Sequence, residues 1–332
     1  MSSSPPIVTS GDGIAPGRID MLGGVIDYSG GRVLQVATSA VTIVTATLRQ
    51  STTPDASNDD VEMISNFGSA HVSIAVLRDA LDGGSPTGGA LTPSALRAIR
   101  AYLTEANAAP WVFYVFGCLA AFALETGWLP PRGSLLTLSI SSKVPLAQGV
   151  SSSASLEVAT LRALGSISNG LALTPLRAAH VAQAAENFVV GAPCGLMDQL
   201  ASSLGAAGKV LPILCRPDLI DEPIALPAGV VVVGWPSGVE HSVGASPYLT
   251  ARTGAFMAKK ALERAAHRTV AHLTEFTPAE FETLVHLLPY EITGDEFLAK
   301  YDSIDDTLSV IDGAAIYQLR TAARFPIEEN FR

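Results

Sequence analysis

Three short stretches of this chain set glycine turns beside charged or hydroxyl side chains, a combination that lets a backbone come close to a charged ligand. In Pro145-Leu-Ala-Gln-Gly149-Val-Ser-Ser-Ser-Ala154, a glycine precedes three serines at the start of a predicted helix. The helix N-terminus would offer N–H groups and hydroxyls to a phosphate, and the hydroxyls suit Mg2+, which prefers hard oxygen donors. In the second stretch, Glu186 ends one helix and Gly191-Ala-Pro-Cys-Gly195-Leu-Met-Asp198-Gln199 opens the next. Two carboxylates so placed can divide the labour of phosphoryl transfer, one on the metal and one on the attacking hydroxyl. The third, Ala15-Pro-Gly-Arg18-Ile-Asp20-Met-Leu-Gly23-Gly24-Val-Ile-Asp27-Tyr28-Ser-Gly-Gly31, runs from a strand into a glycine turn that presents Asp27. Arg18 could neutralise developing charge and hold a nearby carboxylate ionised, and Asp27 could accept bonds from vicinal hydroxyls.

Each stretch alone also fits a plain structural account. The serines could be an ordinary N-cap, Asp198 could complement a helix dipole with Glu186 solvated, and the third could be a polar hairpin. Their joint occurrence in one chain, in this order, argues for chemistry.

The elements that must position these residues are legible in outline. Residues 14–48 and 61–77 read as extended, with a polar turn at 51–60 between them, and 81–92 as a Gly/Pro/Ser-rich loop. Helices are predicted over 93–106, 110–125, 152–164, 174–190, 196–204 and 247–267, with strands at 134–140, 209–214 and 230–235. A change in pattern near 205–215 suggests a boundary between a domain at 1–210 and another at 211–332.

Composition narrows the function classes. The 332 residues are 48% hydrophobic and 16% charged, which specifies a compact fold rather than disorder. A net charge of −10 speaks against nucleic acid or an anionic membrane as partner, since both need clustered Lys and Arg. Three cysteines, Cys118, Cys194 and Cys215, make neither a disulfide framework nor a CxxC metal site. Met1-Ser-Ser-Ser-Pro-Pro lacks the features of a signal peptide, and the apolar run Trp111–Leu124 is too short to span a bilayer. The expectation is a cytoplasmic protein.

Taken together, the three stretches resemble the signatures of the GHMP kinases. Ala15–Gly31 resembles the galactokinase signature, Pro145–Ala154 the family's phosphate motif, and Glu186–Gln199 the segment bearing a metal-ligand Glu and a catalytic Asp. His241-Ser-Val-Gly with Tyr248 and Arg252 is similar to the galactokinase stretch whose Tyr contacts the sugar. Gly23–Gly30 and Phe325-Pro-Ile-Glu-Glu-Asn-Phe-Arg332 read most like the L-arabinokinase branch.

The resemblance implies an α+β GHMP kinase fold: a ribosomal-protein-S5-domain-2-like N-terminal domain and an incomplete ferredoxin-like C-terminal domain. It implies ATP and a small sugar as partners and Mg2+ as cofactor. Asp198 and Arg18 would be catalytic, and Gly149, Val150, Ser151, Ser152, Ser153 and Ala154 would bind the phosphates. Glu186 with Ser153 or Ser152 would hold the metal, and Asp20, Asp27, Gly195 and Tyr248 would meet the sugar.

Three departures qualify what it implies. Galactokinases usually carry an acidic residue and a His where this chain has Gly24 and Val25, and losing groups that serve a hydroxymethyl suits a pentose such as L-arabinose. Ala147 replaces a frequent glycine of the phosphate loop. Downstream of Asp198 no Gly-Gly-Gly-x-Gly-Gly motif occurs before Arg332, so the sequence reads either as a truncated product or as a chain whose C-terminal domain a second chain or self-association completes.

Overall fold

The structure, a computed structural model, describes residues 8–50, 59–82, 91–235, 237–238 and 246–331. Its strands are β1 (Val8–Leu22), β2 (Arg32–Gln50), β3 (Asp60–Ser65), β4 (Gly68–Ser73), β5 (Ser134–Ser142), β6 (Lys209–Leu214), β7 (Leu219–Ile220), β8 (Ile224–Ala225), β9 (Ile292–Thr293) and β10 (Ile316–Tyr317). Its helices are α1 (Ala75–Asp82), α2 (Pro93–Glu105), α3 (Pro110–Thr126), α4 (Ser152–Ile167), α5 (Pro175–Ala185), α6 (Met197–Leu204), α7 (Ser246–Ala266), α8 (Pro278–Leu284), α9 (Gly294–Tyr301) and α10 (Leu319–Glu329). The fold is α+β. Two compact units emerge from the contacts: one of residues 1–18, 37–192 and 198–207, the other of 19–36, 193–197 and 208–332.

The first unit carries the sheet order β4-β3-β5-β2, with β1 also on β2. β3 runs parallel to β5, while β2 and β5 pair antiparallel from Thr42–Ser142 to Gln50–Ser134. Alternation in β2 and β5 buries Val44, Ala46, Leu48, Leu136 and Leu138 on one face. The same core contains α3, whose residues 115–124 are all buried, as an apolar helix requires. Helices α2, α3 and α5 each open with Pro in their first turn. Thr92 and Thr174 cap α2 and α5 by accepting the N–H of Ala95 and Arg177. Among the described residues no helix is long and apolar enough to cross a membrane.

In the second unit Arg32–Val36 pair antiparallel with Leu214–Val210, and β6 also holds the short β7 and β8. A separate core gathers Met257, Leu262, Phe276, Phe281, Phe297, Tyr301 and Leu319. Thr277 and Thr293 close full capping boxes with Glu280 and Glu296, which fixes the starts of α8 and α9.

Some expectations change. The helix expected to run on to Val190 ends as α5 at Ala185 and passes into one π-helical turn, Glu186–Val190. The extended reading of 61–77 resolves into the hairpin β3–β4 followed by α1. The strand expected at 230–235 is not formed. Val230, Val231, Val233 and Trp235 stand exposed there, Trp235 at 89%. β-propensity makes a strand only where a neighbouring edge offers pairing partners.

Candidate active site

The phosphate-motif loop is shaped by backbone conformation more than by side-chain caps. Ala147 and Gly149 take positive φ, at +53° and +68°, and Ser151, the N-cap of α4, sits in the left-handed region at φ 58°, ψ 52°. A non-glycine residue there costs about 1 kcal/mol or more, so the loop is held by its surroundings. Ser151 makes no side-chain capping bond, and its buried Oγ has no partner among the described residues. An orphaned buried hydroxyl at the N-terminus of a sixteen-residue helix can receive an anion or a cation–anion pair. The ordinary serine cap is therefore not what is built. Ser152 and Ser153 follow, half-buried in the first turn, and Ala154 is buried.

Arg18 binds this loop to the carboxylate at the start of α6. Its backbone N–H donates to the Val150 carbonyl at 3.1 Å, and its Nη1 donates to the Gly149 carbonyl at 2.6 Å. Nε and Nη2 both reach Asp198 Oδ1 at 2.8 Å. Gly17 allows the approach, since a Cβ there would lie 2.6 Å from the Val150 carbonyl oxygen. Arg18 thus holds the Asp198 carboxylate and the loop in one arrangement, as charge-assisted bonds do.

Glu186 is 3% exposed, not solvated. Gln199 Nε2 donates to Glu186 Oε2 at 2.6 Å and to Glu157 Oε2 at 3.2 Å. Glu157 is fully buried, and its Oε1 has no partner among the described residues. Burial, then the Glu186 charge, pushes Glu157 well above the usual carboxylate range against the Gln199 hydrogen bond, with Asp198 adding to the rise. Burial and the same two glutamates also push up the Cys118 thiol, which is correspondingly inert. The turn carrying Glu186 is clamped: Gly191 and Ala192 N–H groups donate to the Glu186 carbonyl, and Arg100 donates to the Val190 carbonyl. Gly117 of α3 lets Val189 approach to 3.1 Å of where a Cβ would be.

Among the described residues no group of three or more His, Cys, Asp or Glu is arranged for a metal. A buried carboxylate and serine hydroxyls are nevertheless hard donors of the kind Mg2+ accepts alongside substrate phosphates. The donor set fits that ion.

The second unit assembles the four residues expected at the sugar. Gln35 Nε2 donates to Asp20 Oδ1 at 3.0 Å and contacts Met197 Sδ at 3.1 Å. Asp27 accepts the Tyr28 N–H at 2.9 Å and the Met197 N–H at 3.4 Å. A Cβ on Gly195 would sit 1.8 Å from Asp27 Oδ2, so only glycine permits this contact. The Tyr248 hydroxyl donates to the Pro193 carbonyl at 3.2 Å, and its ring meets Tyr28 edge-on at 6.1 Å. Burial, then the Asp27 charge, raises both tyrosines, so both are neutral at ordinary pH. Gly24 takes φ +38°, and a Cβ there would lie 3.3 Å from the Phe325 ring. His241-Ser-Val-Gly lies outside the described residues.

Sequence reading assigned no role to Glu157, Gln35 or Asp306. Glu157 carries a local signal, a lone charge within the apolar stretch Ala154–Ala159 one turn beyond the serines. Gln35 and Asp306 carry none.

Parts of the chain match families of known proteins. The description "GHMP kinases N terminal domain" matches residues 114–206, and "Galactokinase galactose-binding signature" matches residues 10–48. An L-arabinokinase of Arabidopsis thaliana is 30% identical over 96% of this chain and 34% of its own length. A galactokinase of Chloroflexus aggregans is 34% identical over 84% of this chain and 62% of its own. The chain therefore spans less than two thirds of these relatives. The crystal structure of Lactococcus lactis galactokinase complexed with galactose shares the fold at a TM-score of 0.66 and 20% identity, over 97% of this chain and 67% of that one.

Proposed function

The chain belongs to the GHMP kinase family and carries its galactokinase signature, and on that premise we propose that it transfers the γ-phosphate of ATP to the anomeric hydroxyl of a small sugar, L-arabinose foremost. The observation that carries this reading is the single guanidinium of Arg18, which joins Asp198 to the Gly149 carbonyl of a loop whose Ser151 Oγ is buried without a partner. A carboxylate for the hydroxyl proton and a cradle for phosphate are thereby locked together.

In this reading Asp198 receives the proton of the sugar hydroxyl as its oxygen bonds the γ-phosphorus and the bond to ADP breaks. Arg18 holds the Asp198 carboxylate in place before the step and balances charge on the transferring group during it. N–H groups of Gly149–Ala154 orient the phosphates. Glu186, with Ser152 or Ser153, would hold Mg2+, which neutralises phosphate charge when bound. Asp20, Asp27, Gly195 and Tyr248 orient the sugar, and because phosphoryl transfer asks little covalent chemistry of the protein, this orientation supplies much of the rate.

The choice of L-arabinose rests on the Gly24 turn. The left-handed backbone at φ +38°, with the Phe325 ring 3.3 Å from any Cβ, leaves an acidic side chain poorly accommodated where galactokinases place one. A site without that group loses little with a pentose and gains little from a hydroxymethyl. D-Galactose is the second acceptor to weigh, because residues 10–48 match the galactose-binding signature. A cytoplasmic setting, with ATP at hand, belongs to the same proposal.

The test is to incubate the protein with Mg-ATP and L-arabinose, D-galactose, D-glucuronate or no sugar, measuring ADP and sugar 1-phosphate. Arabinose 1-phosphate in excess of the other products is the expected result. Galactose as the better acceptor would overturn the sugar assignment, and ADP release indifferent to sugar would overturn the kinase reading.

A further inference from the structure

We propose that Asp306, acting through Arg252, is a positioning residue that sets sugar affinity by fixing the turn Pro193–Met197. The inference rests on the sugar-site reading above and goes beyond the residues that would touch the sugar. Arg252 Nε donates to Asp306 Oδ2 at 2.9 Å and Nη2 to Oδ1 at 3.1 Å, a two-pronged pair with side chains only 5% and 7% exposed. Asp306 is itself aimed by the Ser309 hydroxyl at 2.5 Å and the Leu308 N–H at 3.2 Å. The guanidinium lies 5.0 Å from the Tyr28 ring centre and 5.3 Å from that of Phe256. Its remaining nitrogen, Nη1, donates to the Pro193 carbonyl at 3.3 Å, the same oxygen that accepts from Tyr248.

That carbonyl opens a turn with little slack. Two residues on, Gly195 packs so tightly on Asp27 that no Cβ fits, and Met197 closes the turn through its N–H on Asp27. A displacement of Pro193 by a few tenths of an ångström must therefore be felt at Gly195 and Asp27. Asp306 thus governs the Asp27 carboxylate, far from it in sequence, by way of one arginine and one carbonyl.

A buried ion pair is a poor stabiliser, because desolvation of both charges offsets their attraction. Removing one partner alone strands a charge, whereas replacing both by apolar groups of similar size is commonly neutral to stability. The two kinds of variant therefore separate positioning from folding. Asp306→Asn probes the link but also strands the guanidinium. The paired variant Arg252→Met with Asp306→Leu removes the charges together and deletes the donor to Pro193.

The experiment measures both variants for KM of sugar and of ATP, kcat, melting temperature and amide hydrogen exchange by residue. The paired variant is expected to melt near wild type, raise the sugar KM about tenfold and leave the ATP KM within about twofold. Exchange should rise at Cys194–Met197 and stay unchanged at Gly149–Ser153. Wild-type sugar KM in a folded paired variant would overturn the proposal, as would unchanged exchange at Cys194–Met197. If the wild-type chain phosphorylates no sugar, the functional reading fails by itself, and exchange at the turn still decides this inference.

Discussion

The cluster around Gly149–Ser153 and the one around Asp27 are built by opposite means. Around Gly149–Ser153 the chain relies on left-handed backbone at Ala147, Gly149 and Ser151 and on one partly exposed cation, Arg18, that crosses to Asp198. Around Asp27 it relies on close packing: a glycine with no room for a methyl, two neutral, half-buried tyrosines and a sealed Arg252–Asp306 pair. The first arrangement suits a ligand that brings its own charge and counter-ion, since fixed dipoles and hydroxyls are enough to meet it. The second suits a neutral ligand recognised by the exact position of a few acceptors, where slack is costly.

The sharpest way to break this comparison is Asp198→Asn. It keeps the shape, removes the proton acceptor and leaves Arg18 without its counter-charge. Turnover should fall about 100- to 10,000-fold, the range for loss of a general base, while ATP binding by calorimetry changes little. Normal turnover would show that the carboxylate at the head of α6 is not the acceptor and that the two clusters do not divide the work as proposed.

A subtler contrast uses two glycines that are needed for different reasons, one for its backbone angle and one for space. Gly149 needs its φ of +68° but has nothing within 4 Å of a Cβ, so Gly149→Ala meets only backbone strain of about 1–2 kcal/mol. Gly195 needs space, since its Cβ would overlap the Asp27 carboxylate at 1.8 Å. Gly195→Ala must push Asp27 away from the Tyr28 and Met197 N–H groups, and its effect should fall on sugar KM. The expected order is a rise of at least about tenfold in sugar KM for Gly195→Ala, and a few-fold rise in ATP KM for Gly149→Ala. The reverse pattern would exchange the roles given to the two turns.

What the sequence displays follows the same division. Arg18, Gly149, the serines, Glu186 and Asp198 stand in short motifs whose residue types already imply their chemistry, and the capping Thr-Pro pairs at 92–93 and 174–175 mark their helices locally. Gly195 and Asp27 are also visible, but only as members of motifs; that one excludes a side chain from the other is a fact of packing. Asp306 is invisible because its partner lies 54 positions away and nothing near it in sequence signals a site. The misread strand at 230–235 has a related cause: a run of valines states a propensity, while pairing depends on an edge that sequence does not locate. The π-helical turn at Glu186–Val190 escaped for a related reason, since the packing of its Val189 against Gly117 joins segments far apart in sequence.

Glu157 allows the smallest of these tests, and it concerns stability rather than turnover. Buried beside Glu186, it ionises far less readily folded than unfolded, where its ordinary value is 4.5. Above pH 4.5 the unfolded chain releases this proton and the folded chain keeps it, so the folded state binds more protons and stability falls as pH rises toward the folded value. One proton contributes a slope of at most about 1.4 kcal/mol per pH unit. Glu157→Gln keeps the shape, is neutral throughout and cannot titrate, so its melting temperature should decline less with pH than that of wild type, the curves separating progressively above pH 4.5. Parallel curves from pH 4 to 8 would mean that Glu157 is ionised in the folded protein. The cluster with Glu186 and Gln199 would then hold two buried negative charges at once, which would require a compensating cation there as part of the resting structure.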